Sequence, residues 1–228
     1  MKRTEWVMQL DVAIAERNLL KHPFYQDWQA GTLSRARLQL YAVQYYLHVE
    51  AFPAHLEELA DRSKGALRAL ILENLADEQD PAAPHPKLWR DFAAAVGISE
   101  ETLWTIAPLP GIGRLVETYR QICRERSLAE AVAALYAYEA QVPEIATTKI
   151  DGLRRHYGVN TAQGLAYFTV HEEADKMHRA AWRGWLENCG KTPARPENEV
   201  DGEQILATAG KAMNALWGAL ESIQDASC

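Results

Sequence analysis

The sequence predicts an all-α fold, a single helical bundle with kinked core helices. Three observations predict it. Apolar residues recur at three- and four-residue spacing along nearly the whole chain, alternation over the length of a strand is hard to find, and there is no internal repeat or low-complexity region. Gly190–Glu199 (GKTPARPENE) is the one linker-like stretch. It is too short and too late to define a second domain, so residues 1–228 read as one domain.

The first periodic segment runs from about Glu5 to Leu20, with Trp6, Leu10, Ala13 and Arg17 on one stripe, and His22-Pro23 ends it. Ser34 is placed to cap a long helix through Tyr41, Tyr45, His48 and Phe52, with Pro53 predicting a kink or break. A third helix over about Lys64–Asp77 stops at a loop holding Pro81, Pro84 and Pro86. Further helices are expected over Lys87–Val96, Ile112–Arg124, Leu128–Arg155, Ala162–Asn188 and Asp201–Ser222, with Pro143 bending the one over 128–155.

Composition narrows the function. With 24 Lys+Arg against 31 Asp+Glu the net charge is −7, and no basic block or stripe offers a footprint for nucleic acid. Cys123, Cys189 and Cys228 have no CxxC spacing, which argues against a disulfide framework and a cysteine-based zinc site and points to a reducing cytoplasm. Met1-Lys2-Arg3 is followed by Asp11 and Glu16 before any apolar signal core can form. No run approaches the ~20 apolar residues of a membrane span, so no membrane partner is expected.

The most informative segment is His171–His178 (HEEADKMH). On a helix, Asp175 and His178 fall about 40° and about 20° from His171, on opposite sides of its azimuth. One narrow face therefore carries two imidazoles and a carboxylate, and Tyr167 joins it from four residues upstream. A solvated face with a local ion pair would give the same pattern. The motif is not HExxH. It does contain Asp175-x-x-His178, close to the Glu-x-x-His pairs that hold dinuclear metals in helical bundles.

Glu139 sits in Ala131–Pro143 (AVAALYAYEAQVP), where nearly every neighbour is apolar or aromatic. A carboxylate buried there must be protonated, hydrogen-bonded, paired with a cation such as an arginine, or bound to metal. Glu144, beyond Pro143, is the decoy. The third element is Glu78–Pro86 (EQDPAAPHP), a carboxylate at a helix end and His85 in a proline-rich loop, which alone would read as surface. Together the three elements supply three carboxylates and three imidazoles, a donor set that suits iron or manganese. His22, His48, His55 and His156 read as core or surface residues, with hydrogen bonding behind the ligands as a role for His48. Tyr25, Tyr41, Tyr45, Tyr46, Tyr136, Tyr138 and Tyr167 are expected to face the core, where they pack and also supply oxidisable phenols.

Five segments, His22–Tyr25 (HPFY), Tyr41–Pro53 (YAVQYYLHVEAFP), Asp77-Glu78 with His85, Val132–Ile150 (VAALYAYEAQVPEIATTKI) and Tyr167–His178 (YFTVHEEADKMH), resemble the CADD-like para-aminobenzoate synthases, within the haem-oxygenase-like dimetal oxidases. The resemblance runs nearly the whole chain; only the linker near Gly190 and the C-terminal tail fall outside it. It implies a haem-oxygenase-like bundle of about seven core helices, with metal ligands on Glu78, His85, Glu139, His171, Asp175 and His178. It implies two irons, or an iron with a manganese, and O2 and an external reductant as co-substrates. The implied activity is a self-sacrificing oxygenase reaction, one turnover per chain, that makes para-aminobenzoate for folate synthesis from the enzyme's own tyrosine. That tyrosine falls on Tyr25, with Tyr41 as a second source, and the amino-donating lysine falls on Lys149. On an ideal helix Lys149, ten residues past Glu139, would not share its face; the Pro143 kink and a long side chain bring it within reach. Tyr138 and Tyr167 are placed to relay electrons or shape the pocket. A homodimer is the expected assembly.

Three other readings remain open at this level. The same metal site can serve an external small amine or fatty acid, as a dimetal oxygenase or N-oxygenase. Related folds without metal, of the thiaminase II and pyrroloquinoline-quinone synthase C types, need no six-ligand cluster. An adaptor role is the non-enzymatic reading, and no dedicated partner-binding peptide is visible for it.

Overall fold

The structure is a computed structural model that describes residues 5–189 and 201–227, apart from the side chain of Glu173. Cys228, the opening Met1-Lys2-Arg3 and the expected linker Gly190–Glu199 lie outside the described residues. Eleven α-helices and one 3₁₀ turn account for the described elements, and no strand occurs among them. In chain order they are α1 (Glu5–Glu16), the 3₁₀ turn Leu19–Lys21, α2 (Pro23–Ala30), α3 (Arg35–Arg62), α4 (Gly65–Glu78), α5 (His85–Ala95), α6 (Glu100–Thr105), α7 (Pro110–Glu125), α8 (Leu128–Glu139), α9 (Val142–His156), α10 (Ala162–Cys189) and α11 (Gly202–Gln224).

The all-helical expectation holds, and the differences lie at prolines. The first helix ends earlier, at Glu16; His22 closes the 3₁₀ turn Leu19–Lys21, and His22-Pro23 also starts a new helix. Asn18 Oδ1 caps the 3₁₀ turn, and His22 Nδ1 then accepts the Phe24 N–H at 3.0 Å, with Pro23 in the first turn of α2 where its missing N–H costs nothing. The short α6 is likewise a helix that apolar periodicity passes over, capped by Ser99. The long α3, capped by Ser34, runs through Pro53 without a break.

Pro143 breaks the expected helix over 128–155 into α8 and α9. Because Pro143 has no N–H, the Glu139 carbonyl loses its helical partner. The chain tightens at that point, with the Gln141 N–H bonding to Tyr138 O at 3.2 Å. The freed end is met by side chains: Gln141 Nε2 donates to Ala137 O at 2.8 Å, and Arg179 Nη1 donates to Ala140 O at 3.3 Å. Glu139 thereby becomes the last residue of its helix.

Helix α8 is the axis of the molecule. A capping box of Ser127 and Glu130 starts it, and every residue from Ala129 to Ala137 is buried. A helix apolar on all sides requires neighbours on all sides, and α8 packs against α11, α10, α7, α1 and α9. Helices α3, α4, α5 and α10 close the end where the chemistry-bearing residues gather. Among the described residues no helix is long and apolar enough to cross a membrane.

One close approach positions α2 against α9. A Cβ on Gly152 would lie 2.5 Å from Cδ1 and Nε1 of Trp28, whose indole N–H donates to the Lys149 carbonyl at 3.4 Å. Gly152→Ala is expected to lower stability by about 1–3 kcal/mol through overpacking, read as a lower urea midpoint at unchanged m-value; an unchanged midpoint would show that Trp28 yields freely.

Candidate metal centre

The six side chains singled out from the sequence come together in two compact groups. Glu78, His85 and His171 form one and Glu139, Asp175 and His178 the other, and within each group the ligand atoms lie within 4.8 Å of one another. Their elements explain the convergence. Glu78 and Glu139 are the last residues of α4 and α8, His85 is the first residue of α5, and α10 contributes the remaining three. His85 is thus part of a helix and not of a loop. Along α10 the residues Tyr167, His171, Asp175, His178 and Trp182 follow three- and four-residue spacing, so one face runs through the whole site.

Glu139, 3% exposed, is held rigidly. Asn74 Nδ2 donates to both of its oxygens at 3.1 Å and Trp182 Nε1 donates to Oε2 at 2.7 Å, while His178 Nδ1 stands 3.8 Å away. None of these partners is an arginine. Burial, then the charge of Asp175, raises the Glu139 carboxyl to about 8. Burial also raises Asp175 to about 6, and its Oδ2 is buried without a hydrogen-bond partner.

The histidines are oriented from behind. His171 Nδ1 meets the Tyr167 carbonyl at 2.6 Å; a carbonyl can only accept, so Nδ1 carries the proton and Nε2 keeps a free lone pair. His178 Nε2 donates to Asp77 Oδ2 at 2.9 Å, which leaves Nδ1 facing Asp175 at 3.4 Å. Burial lowers the His178 imidazolium, but the Asp175 hydrogen bond and the charges of Glu139 and Asp175 outweigh it and raise the group to about 9. For His85, burial is likewise outweighed by neighbouring Glu78 and the group moves up, whereas burial and the nearby His85 push His171 well down. His85 Nδ1 lies 2.9 Å from Glu78 Oε2. Adjacent ligands about an octahedral cation with bonds of ~2.1 Å stand about 3 Å apart.

These observations fit a pair of divalent cations. Three carboxylates crowd one buried site, one of their oxygens has no partner, His171 has one nitrogen anchored and the other free, and His178 has Nε2 anchored with Nδ1 turned to Asp175. Such outer partners are what metal-binding histidines need. Sequence reasoning does not single out Asp77, Asn74 or Trp182 as functional. Asn74 and Trp182 each lie four residues from a candidate ligand on the same helix, which is the signal that could find them.

The other predicted residues gather beside this cluster. Lys149 is buried, with its Nζ donating to Tyr41 Oη. Nζ faces the rings of Tyr41 at 5.0 Å, Phe168 at 5.2 Å, Tyr25 and Tyr45 at 5.5 Å and Trp89 at 5.7 Å. Burial lowers the Lys149 ammonium to about 7, and the ring faces, which favour a cation, oppose that shift. A cavity of about 20 Å³ connects Tyr25, Lys149, Tyr138, Tyr167 and His171; a second of about 10 Å³ connects Tyr138, Tyr167 and His171 with Glu78, Glu139 and Asp175. The two share a wall. Glu144 is exposed, as expected of the decoy. His48 does not make the expected hydrogen bonds behind the ligands: neither ring nitrogen has a partner, and Tyr45, Phe52, Tyr119 and Tyr138 surround it.

Metal binding must displace the protons that Asp175, Glu139 and His178 hold in the metal-free protein. Affinity for Fe²⁺ or Mn²⁺ is therefore expected to rise with pH from about 6 to about 9, with proton release into weakly buffered solution on loading; calorimetry in buffers of different ionisation enthalpy reads both. Asp77→Ala is expected to weaken metal binding roughly 10–100-fold with little change in fold, and titration of the variant against wild type checks it.

Comparisons with known proteins bear on this geometry. The model of a family described as iron-containing redox enzymes matches residues 39–217. A 4-aminobenzoate synthase from Chlamydia pneumoniae is 40% identical over 96% of this chain and 95% of that protein. One from Nitrosomonas europaea is 35% identical over 100% of this chain and 94% of that protein. Among solved structures, a TenA homolog from Pseudomonas syringae pv. tomato superposes with a TM-score of 0.82 at 18% identity, covering 97% of this chain and 93% of that one. That last likeness establishes the haem-oxygenase and TenA type of helical fold.

Proposed function

The chain belongs to the iron-containing redox enzyme family, and from that premise we propose that it is a 4-aminobenzoate synthase whose reactants are built into its own wall. Tyr25 supplies the ring and Lys149 the nitrogen. Two metal ions, two irons or an iron with a manganese, are held by Glu78, His85, Glu139, His171, Asp175 and His178. O2 and an external reductant are consumed, each chain reacts once, and the product serves folate synthesis. Relatives named 4-aminobenzoate synthase along nearly the full length support the product.

The observation that carries this reading is the shared wall. Tyr138, Tyr167, Val142 and His171 line both the cavity holding Tyr25 and Lys149 and the one holding the carboxylates. When bound, the metal pair supplies the activation of O2 and the oxidising equivalents. The chain's own residues supply position and protons. Burial keeps the Tyr25, Tyr41 and Tyr167 phenols protonated by raising them well above their ordinary value. With Lys149 lowered to about 7, a share of its amine is uncharged near neutrality and its lone pair is available, while its contact with Tyr41 Oη holds Nζ beside the rings of Tyr41 and Tyr25. Cavities of about 20 and 10 Å³ hold water-sized molecules, since one water needs ~10–15 Å³. O2 fits; an external aromatic does not, which favours the built-in ring over an outside substrate.

One observation favours a second ring source. Nζ is hydrogen-bonded to Tyr41 and lies closer to its ring, 5.0 Å against 5.5 Å for Tyr25. Protein grown on ring-labelled tyrosine and ¹⁵N-lysine, then given iron, reductant and air, separates these possibilities. The expected product carries both labels, and the peptide holding Tyr25 loses its ring in step with product. Loss from the Tyr41 peptide would move the assignment, and unlabelled product from an unchanged chain would overturn it.

A further inference from the structure

Among the contacts that tie the segment presenting Tyr25 to the rest of the molecule, two lie at its start. At one, the His22 ring packs edge-on against Trp217 of α11 at 4.6 Å while its Nδ1 caps α2. At the other, the backbone N–H of Leu19 donates 2.8 Å to Gln141 Oε1, a contact between residues 122 apart. Gln141 occupies the break between α8 and α9 and is 1% exposed. Its amide is used at both ends: Oε1 takes Leu19, and Nε2 takes the Ala137 carbonyl released by the break. Without it, a buried donor and a buried acceptor would both be orphaned.

Leu19 is a wall of the Lys149 cavity. It closes that space together with Val142, Ile145 and Ala146, the residues that follow Gln141 on α9. Tyr25 and Lys149 behind it are 2% and 5% exposed.

We propose that Gln141 is a positioning residue that straps the Leu19 turn across the mouth of the Tyr25–Lys149 cavity, fixing the tyrosine-bearing helix over the amine and keeping water and foreign amines out. The chemistry of the side chain matters: Gln141→Glu would set a carboxylate against the Ala137 carbonyl, and an apolar residue of equal length would leave both partners unpaired. Its role in product formation rests on the reading above, but the strap itself is a property of the folded chain.

The test uses full-length, metal-free protein and no turnover. Wild type and Gln141→Met are treated with formaldehyde and borohydride, and methylation of Lys149 is followed by peptide mass spectrometry with exposed Lys211 as the internal reference. Lys149 in Gln141→Met is expected to react about tenfold faster, with Lys211 and the helical circular dichroism unchanged. An unchanged Lys149 rate in a folded variant overturns the proposal. Where the variant does not fold, hydrogen exchange on wild type decides: slow exchange of the Leu19 amide supports the strap, and exchange at the unfolded-chain rate overturns it. Neither readout moves if Tyr25 proves chemically inert, so the two ideas fail separately.

Discussion

A carboxylate at the end of an otherwise apolar central helix is the constraint around which this molecule is arranged. Leaving Glu139 unpaired where α8 is buried on every side would cost several kcal/mol. The surrounding helices are shaped by the remedy. Helix α4 turns Asn74 toward both oxygens and places Glu78 one turn further along the same face; α10 brings Trp182 to one oxygen and His178 to its neighbourhood. Yet the remedy is incomplete. Neutral donors and the imidazoles of His178 and His85 do not fully offset the burial of three clustered carboxylates, and the raised Glu139 and Asp175 carboxyls record the deficit. A site that must take up protons when it lacks cations is one whose charge favours bound cations.

The break at Pro143 gives this arrangement its second half. An unbroken helix would turn Lys149 away from the face of Glu139. Divided into α8 and α9, the segment ends one helix on a carboxylate and starts another whose middle reaches inward with an amine. The same break frees the Ala137 carbonyl for Gln141 and the Ala140 carbonyl for Arg179, so the interruption is satisfied locally and held against α10. One missing N–H therefore sets the relation between the carboxylate cluster and the lysine cavity.

Much of this is legible in the sequence, and the rest is not for identifiable reasons. The His171, Asp175 and His178 face follows from helical spacing alone, and the oddity of Glu139 follows from its apolar neighbours. Glu78 and His85 carry a weaker signal, a helix-end carboxylate and a histidine among prolines that alone would read as surface, because their meeting with His171 depends on how α4 and α5 pack. Pro23 and Pro143 each read as a stop or a bend, whereas one starts α2 and the other divides α8 from α9, since a proline's effect depends on whether a cap stands beside it. His22 reads like any core histidine, because its capping of α2 exists only once Pro23 begins that helix. Asp77, next to Glu78 and exposed, has no sequence feature that predicts its bond to His178, a residue 101 positions away.

The smallness of the cavities bears on what kind of catalyst this is. An enzyme for an external aromatic must hold open a site of molecular size and then hold the substrate in register within it, losing the entropy of that immobilisation on each encounter. On the proposed reading the reacting ring is that of Tyr25, already immobile when the chain has folded, seated by the His22 cap and flanked by Tyr41 and Lys149, so the ordering is done by folding and not by binding. What that reading leaves to be admitted is a molecule of the size of O2. On the proposed reading the cost appears elsewhere, in the loss of one folded chain for each product, and that exchange favours a reaction needed in small amounts over one that must run at high flux.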